Sequence, residues 1–220
     1  MSFKYMSERH PSSLESAETL FSKLYPEGSY REISLQEIPD SLREMIERQA
    51  FTHSLDPEAK RPHVRYFNVK LKGSDIYGAR FDNEYTEFSH EDGDKDIYKI
   101  RLMEPSFYFF QLNGEGKNIG RGGVRYFYDS IRTKKHFPIV DYVETHPDHR
   151  KEGLGAERYR LMSALSRLFF DKNLHSSFAI SPEAESVWNK LLDAGEAEIA
   201  DEYTDEDGKL HRRYRLRTPV

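Results

Sequence analysis

Residues 137–161 read FPIVDYVETHPDHRKEGLGAERYRL. Phe137 to Thr145 have the apolar and β-branched make-up of a strand. Pro147 has no amide hydrogen to give to a ladder, so strand pairing is predicted to stop there. From Leu154 onward, apolar residues recur at helical spacing, and the helix is predicted to run to about Asp171. Arg150, Lys151, Gly153 and Gly155 stand around that strand-to-helix junction. The first amides of a helix lack intrahelical partners and lie at the positive end of its dipole. Glycine at 153 and 155 removes side chains from the helix mouth, and Arg150 and Lys151 add charge. Together these make a receptor for phosphate or pyrophosphate. A plain strand-to-helix turn with glycines for packing accounts for the same letters, and the residues leave both readings open.

Working outward, residues 176–181 (SSFAIS) are expected to form a short buried strand. Residues 182–195 then form a helix, with Ser181 as cap, Pro182 at its first position and Gly195 at its end. Residues 197–204 and 210–217 are expected to pair as a hairpin around Asp205-Glu206-Asp207-Gly208. Upstream, strands are expected at 29–35, 64–71, 76–81, 97–103, 106–112 and 124–131. Asp40 is expected to cap a helix whose apolar stripe is Leu42, Met45, Ile46 and Ala50. Residues 89–96 (SHEDGDKD) read as a polar loop. The glycine-rich stretch 113–123 has no helix behind it, so it reads as a hairpin turn with a bulge and not as a phosphate loop. The predicted class is α/β: a mixed, twisted central sheet flanked by helices. Residues 1–28 are read as an N-terminal extension carrying a short helix, and 29–220 as the main domain with a strand-rich insertion at about 56–104.

Composition bounds the function. The chain has 220 residues, 37% hydrophobic and 32% charged, with a formal net charge of -5. A mild acidic balance argues against coating nucleic acid, although a local basic patch stays open. There is no cysteine, which excludes a thiolate zinc site and a cysteine-linked acyl-enzyme. His146, Asp148 and His149 lie too close together in the chain to wrap one metal, so no metal site is expected. No apolar run suits a membrane span and no signal-peptide core is seen, so a cytoplasmic location is expected.

Val143-x-Thr145-x-Pro147-x-x-Arg150-x-x-Gly153-x-Gly155-Ala156 resembles the cofactor signature of the GNAT acyltransferase family. The order of elements through residue 217 resembles that family's C-terminal half, and residues 30–51 resemble its opening strand and first helix. Residues 1–28 and 56–104 have no clear counterpart. The resemblance implies a GNAT-like sheet and acetyl-CoA or another acyl-CoA as donor. Val143, Thr145, Arg150, Lys151, Gly153, Leu154, Gly155 and Ala156 would bind that donor. It also implies transfer to an amine-bearing acceptor, small molecule or protein, by direct attack in a ternary complex. Thr145 stands where the family usually has valine.

Two carboxylates on the strand before the loop, Asp141 and Glu144, are the candidates for removing the amine proton. Three positions apart, they are expected on opposite faces. The family's usual tyrosine is replaced by Trp188, which cannot protonate a thiolate. That departure keeps a second reading open: a GNAT-like module that binds a partner protein without catalysis. A third, acyl transfer to charged transfer RNA, would need a basic channel. Finally, residues 183–207 hold ten acidic residues and one basic, Lys190. They read either as a solvated face or as an acidic wall that draws cationic acceptors.

Overall fold

The computed structural model describes residues 19, 21–23, 25, 28–52, 63–82, 86–92, 95–101, 105–129, 132–150 and 152–217. Lys151 and most of residues 1–28 lie outside the described residues, and so do residues 53–62.

Strand β1 (Ser29–Ile33) leads into helix α1 (Asp40–Thr52). Strands β2 (His63–Leu71) and β3 (Ser74–Asp82) follow, then β4 (Thr86–Asp92) and β5 (Lys95–Arg101). Next come β6 (Ser106–Asn113), β7 (Asn118–Asp129) and β8 (Lys135–Thr145). Helices α2 (Leu154–Phe170) and α3 (Pro182–Asp193) precede β9 (Ala197–Thr204) and β10 (Leu210–Leu216). The main sheet has the order β1-β2-β3-β6-β7-β8 and is antiparallel throughout. β9 and β10 pair with each other, and β4 pairs with β5 as a separate two-stranded sheet.

Helices cover both faces of the sheet, which explains why central β6 shows no polar alternation: every residue from Ser106 to Leu112 is buried. On one face Phe107, Phe109 and Val124 pack with Tyr159, Met162, Leu165 and Phe169 of α2 and with Trp188 and Leu191 of α3. On the other face Ala79, Phe81, Tyr108, Phe110 and Leu112 pack with Leu42 and Ile46 of α1. The Tyr108 hydroxyl donates to the Ile46 carbonyl, so the burial leaves no lost hydrogen bond there.

The α/β fold with a central sheet flanked by helices is thus as expected, with local differences: the main sheet is antiparallel, and parallel pairing is reduced to one bridge between Ile139 and His175. Asp40 is the first residue of α1 and not its cap; it pairs with Arg43 at 2.8 Å. Residues 89–92 and 95–96 belong to the β4–β5 hairpin and not to a loop, since a two-stranded ribbon tolerates charge along its length. β7 begins at Asn118, inside the glycine-rich stretch. Gly120 lies in that strand, and it is glycine because a Cβ there would overlap the Arg158 guanidinium and the Glu144 carbonyl.

The strand expected at 176–181 is reduced to bridges through His175, parallel to Ile139 and antiparallel to Arg215. Side chains replace the ladder just past it. Ser176 Oγ accepts from the Tyr214 amide at 2.9 Å, and Ser177 Oγ accepts from the Ala179 amide at 3.2 Å, which turns the chain away.

Candidate functional site

The site is built where β8 parts from the chain at 175. The Val140 amide donates to the His175 carbonyl at 3.0 Å and the His175 amide to the Pro138 carbonyl at 2.9 Å. Beyond that point β8 runs on to Thr145 paired only with β7 among the described residues. Its outer edge, from Asp141 to Thr145, therefore carries no strand partner among the described residues.

The loop at the end of β8 is compact. Residues Pro147–His149 form a single 3-10 turn, with the His149 amide donating to the His146 carbonyl at 2.9 Å. The His146 amide reaches back to the Ile119 carbonyl at 3.1 Å. Gly153 caps α2 with φ +82°, a left-handed conformation that favours glycine, and gives no side-chain cap to the first turn. The contrast with α3 is direct: there Ser181 Oγ accepts from the Ala184 amide at 3.2 Å. The mouth of α2 keeps its amides uncapped. Arg150 is exposed beside it. Leu154, Gly155 and Ala156 form its first turn. A Cβ at Gly155 would meet only Val187 Cγ2, at 3.4 Å, an ordinary contact. Packing within the chain does not demand glycine at 155, and it does at 120.

A β-bulge between Gly123 and Val124 leaves Asp141 as the extra residue of β8: Tyr142 pairs with Gly123, and Val140 with Val124. This changes the sidedness of the two carboxylates. Glu144 lies opposite Arg121 and pairs with it at 2.8 Å, while Asp141 pairs with Arg125 at 3.4 Å. Arg121 and Arg125 are four apart on β7 and share a face, so Asp141 and Glu144 lie on one face as well, contrary to the simple count from sequence. It is the α1 face, where Tyr142 packs against the cluster of Leu42, Ile46 and Tyr108. The Arg121 guanidinium lies 5.6 Å from the centre of the Tyr142 ring. Hydrogen bonding to Glu144 raises the pKa of Arg121 further. Val143 and Thr145 point the other way, toward α2: Val143 packs against the α2 cluster, and Thr145 Oγ1 accepts from Arg158.

Trp188 does not reach that edge. It is fully buried, edge-on to Tyr159 at 4.9 Å and stacked on Tyr214 at 5.6 Å. Burial pushes the Tyr159 hydroxyl up to about 12. His146 and His149 pair separately with Asp148 at 3.6 Å and Glu152 at 3.3 Å.

Four of the ten acidic residues in 183–207 pair with arginines. Asp201 takes both Nε and Nη2 of Arg132, at 2.8 and 3.0 Å. Glu196 takes Arg160, Glu198 takes Arg215 and Arg217, and Glu202 takes Arg212. Asp205 accepts from the Asp207 and Lys209 amides and pairs with His211 at 2.7 Å, so it shapes its own turn. Hydrogen bonding from His211 holds the Asp205 carboxyl below its ordinary pKa.

Sequence reasoning passed over Arg158. It is 1% exposed on the sheet side of α2. The signal was available, because 158, 161, 162 and 165 form one helical stripe of which the other three are apolar.

No family model matches the sequence, and no curated protein matches it. Solved structures give three distant likenesses. One is described as "Putative GnaT-family acetyltransferase from Bordetella pertussis", at 14% identity and a TM-score of 0.36, covering 51% of this chain and 65% of that one. This chain therefore spans just under two thirds of that protein's length. The second is nourseothricin acetyltransferase, at 16% identity and a TM-score of 0.39, covering 88% of this chain and 99% of that one. The third is the ribosomal-protein-S18-alanine N-acetyltransferase from Escherichia coli, at 17% identity and a TM-score of 0.32, covering 51% and 69%. Likenesses of this depth decide no function. No helix among the described residues is long and apolar enough to cross a membrane.

Proposed function

We propose that the chain is an acyl-coenzyme A-dependent N-acyltransferase of the GNAT type, transferring an acyl group to an amine by direct attack in a ternary complex. One observation carries this reading. The uncapped mouth of α2, entered through left-handed Gly153 and left roomy at Gly155, opens beside the free edge of β8. An anion receptor and an unpaired strand edge are what the phosphates and the amide-bearing arm of coenzyme A each need.

Acyl-coenzyme A supplies an acyl group activated as a thioester. Arg150, Lys151, Gly153, Leu154, Gly155 and Ala156 hold its phosphates, and the backbone of Val143 and Thr145 lines its arm. The acceptor enters from the α1 face. Asp141 or Glu144, directly or through water, takes the proton that the amine must shed as its nitrogen bonds to the acyl carbon and the carbon–sulfur bond breaks. Proton return to the departing sulfur falls to Tyr142 or to water, because Trp188 is sealed in the core.

A second reading is favoured by one feature. Both carboxylates are engaged by guanidiniums, and a module that binds without catalysis needs no free base. Titration calorimetry with acetyl-CoA, coenzyme A and ATP separates these readings from a plain packing turn. Micromolar binding of acetyl-CoA with weak ATP binding is expected. A protein that binds neither coenzyme A form has no donor site. Binding without turnover over a broad amine panel selects the module.

A further inference from the structure

Among the described residues, Arg158 is a buried cation with no carboxylate beside it. Its Nε donates to Gln111 Oε1 at 2.8 Å, Nη1 to Thr145 Oγ1 at 2.5 Å and Nη2 to the Ile119 carbonyl at 2.9 Å. All three acceptors are neutral. Glu157, next along α2, is exposed and makes no ion pair with it among the described residues. Burial pulls the guanidinium pKa down to about 10, which leaves it charged at neutral pH. An interior charge without a counterion is costly, and a neutral side chain could satisfy the same acceptors at less cost. Arg213, also buried, has its carboxylate, Asp129, at 2.9 Å.

Position supplies the reason for the exception. Thr145 is the last residue of β8, and the Ile119 carbonyl also holds the His146 amide. The guanidinium is therefore bound to the strand end from which the loop departs. Along α2, Arg158 lies four residues from Leu154, about 6 Å in helical rise. Interior charge is poorly screened by salt over such a distance.

We propose that Arg158 is a positioning residue for the donor's phosphates: its buried charge draws the anion to the mouth of α2, while its bond to Thr145 fixes where that mouth stands. This rests on the acyl-coenzyme A reading above. The chemistry recognised is a phosphate or pyrophosphate group, and the thioester end is indifferent to it.

The test is titration calorimetry on the full chain with acetyl-CoA and with S-acetylpantetheine, which carries the same thioester arm without phosphate. Arg158→Gln should weaken acetyl-CoA at least tenfold and leave S-acetylpantetheine unchanged. Arg158→Lys, which keeps the charge, should stay within about threefold of wild type for both. Three results overturn the inference: a folded Arg158→Gln protein with wild-type acetyl-CoA affinity, equal losses for both ligands, or a folded Arg158→Lys protein as weak as Arg158→Gln. If Arg158→Gln does not fold, Arg158→Met supplies the neutral arm. If neither folds, low-salt melting of the wild type with inorganic pyrophosphate decides, and no stabilisation overturns the proposal. A wild type stabilised by pyrophosphate but blind to acetyl-CoA would sink the acyltransferase reading and keep the anion seat. A wild type that binds acetyl-CoA while Arg158→Gln is silent would do the reverse.

Discussion

Replacing Gly155 by alanine separates a glycine kept for packing from one kept for a ligand. In the folded chain the added Cβ would stand 3.4 Å from Val187 Cγ2, an ordinary contact, and the position is helical with no positive φ. Glycine is about 1 kcal/mol worse than alanine in a helix interior, and less so in a first turn. Removing its freedom in the unfolded chain also favours alanine. Gly155→Ala is therefore expected to stabilise the unliganded protein by ~0.5 kcal/mol, raising its Tm by about 1–2 °C at this size. If phosphate oxygens meet the amides of this turn, the same methyl group holds them off. Loss of one or two charge-assisted hydrogen bonds at ~1.5 kcal/mol each predicts a tenfold or greater weakening of acetyl-CoA. The assay pairs melting without ligand with calorimetry. Opposite signs, more stable and weaker binding, support the donor site. A folded Gly155→Ala protein with wild-type affinity refutes it. Gly153→Ala is the control: φ +82° makes that substitution destabilising by about 1 kcal/mol.

Three further outcomes are expected. Asp129 is 4% exposed; burial raises its pKa, but the Arg132 amide and Arg213 outweigh that and hold it at about 2. Asp129→Asn should cost ~3–5 kcal/mol by stranding buried Arg213, read as a lowered urea midpoint; a shift under ~1 kcal/mol would mean the pair contributes little. His175 is brought down to about 4, by burial first and then by Arg215. Between about pH 6.5 and 4 the unfolded chain binds the extra proton, so stability should fall as pH falls, by up to ~2–3 kcal/mol. His175→Gln should flatten that slope, and an unchanged slope assigns it elsewhere. Glu144→Gln and Asp141→Asn should differ in their pH–rate profiles once an acceptor is known. The variant of the proton-taking carboxylate loses turnover most at low pH with donor KM kept, and two wild-type profiles exclude both.

The parts of the site legible in sequence are those written in consecutive residues. The end of β8 at Thr145, the start of α2 at Leu154, and the α3 cap at Ser181 with Pro182 behind it follow from local rules. What escaped depends on partners far along the chain. The bulge at Asp141 leaves no pattern of its own, because it is made by Tyr142 choosing Gly123 on another strand. The charge of residues 183–207 seemed free because its neutralising arginines are remote; Arg132 and Asp201 are 69 positions apart. The strand expected at 176–181 looked sound by composition and was undone by two serine hydroxyls taking backbone partners.

These remote pairings also narrow where acceptor selection can occur. A field from the acidic run acts at range, whatever the acceptor's shape. Five of the ten acidic residues, Glu196, Glu198, Asp201, Glu202 and Asp205, are each tied to a basic side chain, which weakens that field without removing it. Under the proposed reading, contact at the α1 face of β8 is then a second source of selection beside that field. The surface there is Tyr142 between two guanidinium–carboxylate pairs, Arg121–Glu144 and Arg125–Asp141. An amine entering that surface must compete with a guanidinium for the carboxylate that is to take its proton. An acceptor that carries an anionic group beside its amine can engage the displaced arginine, and a simple alkylamine cannot. Under the proposed reading, the acceptor expected from this surface is therefore one that carries both charges.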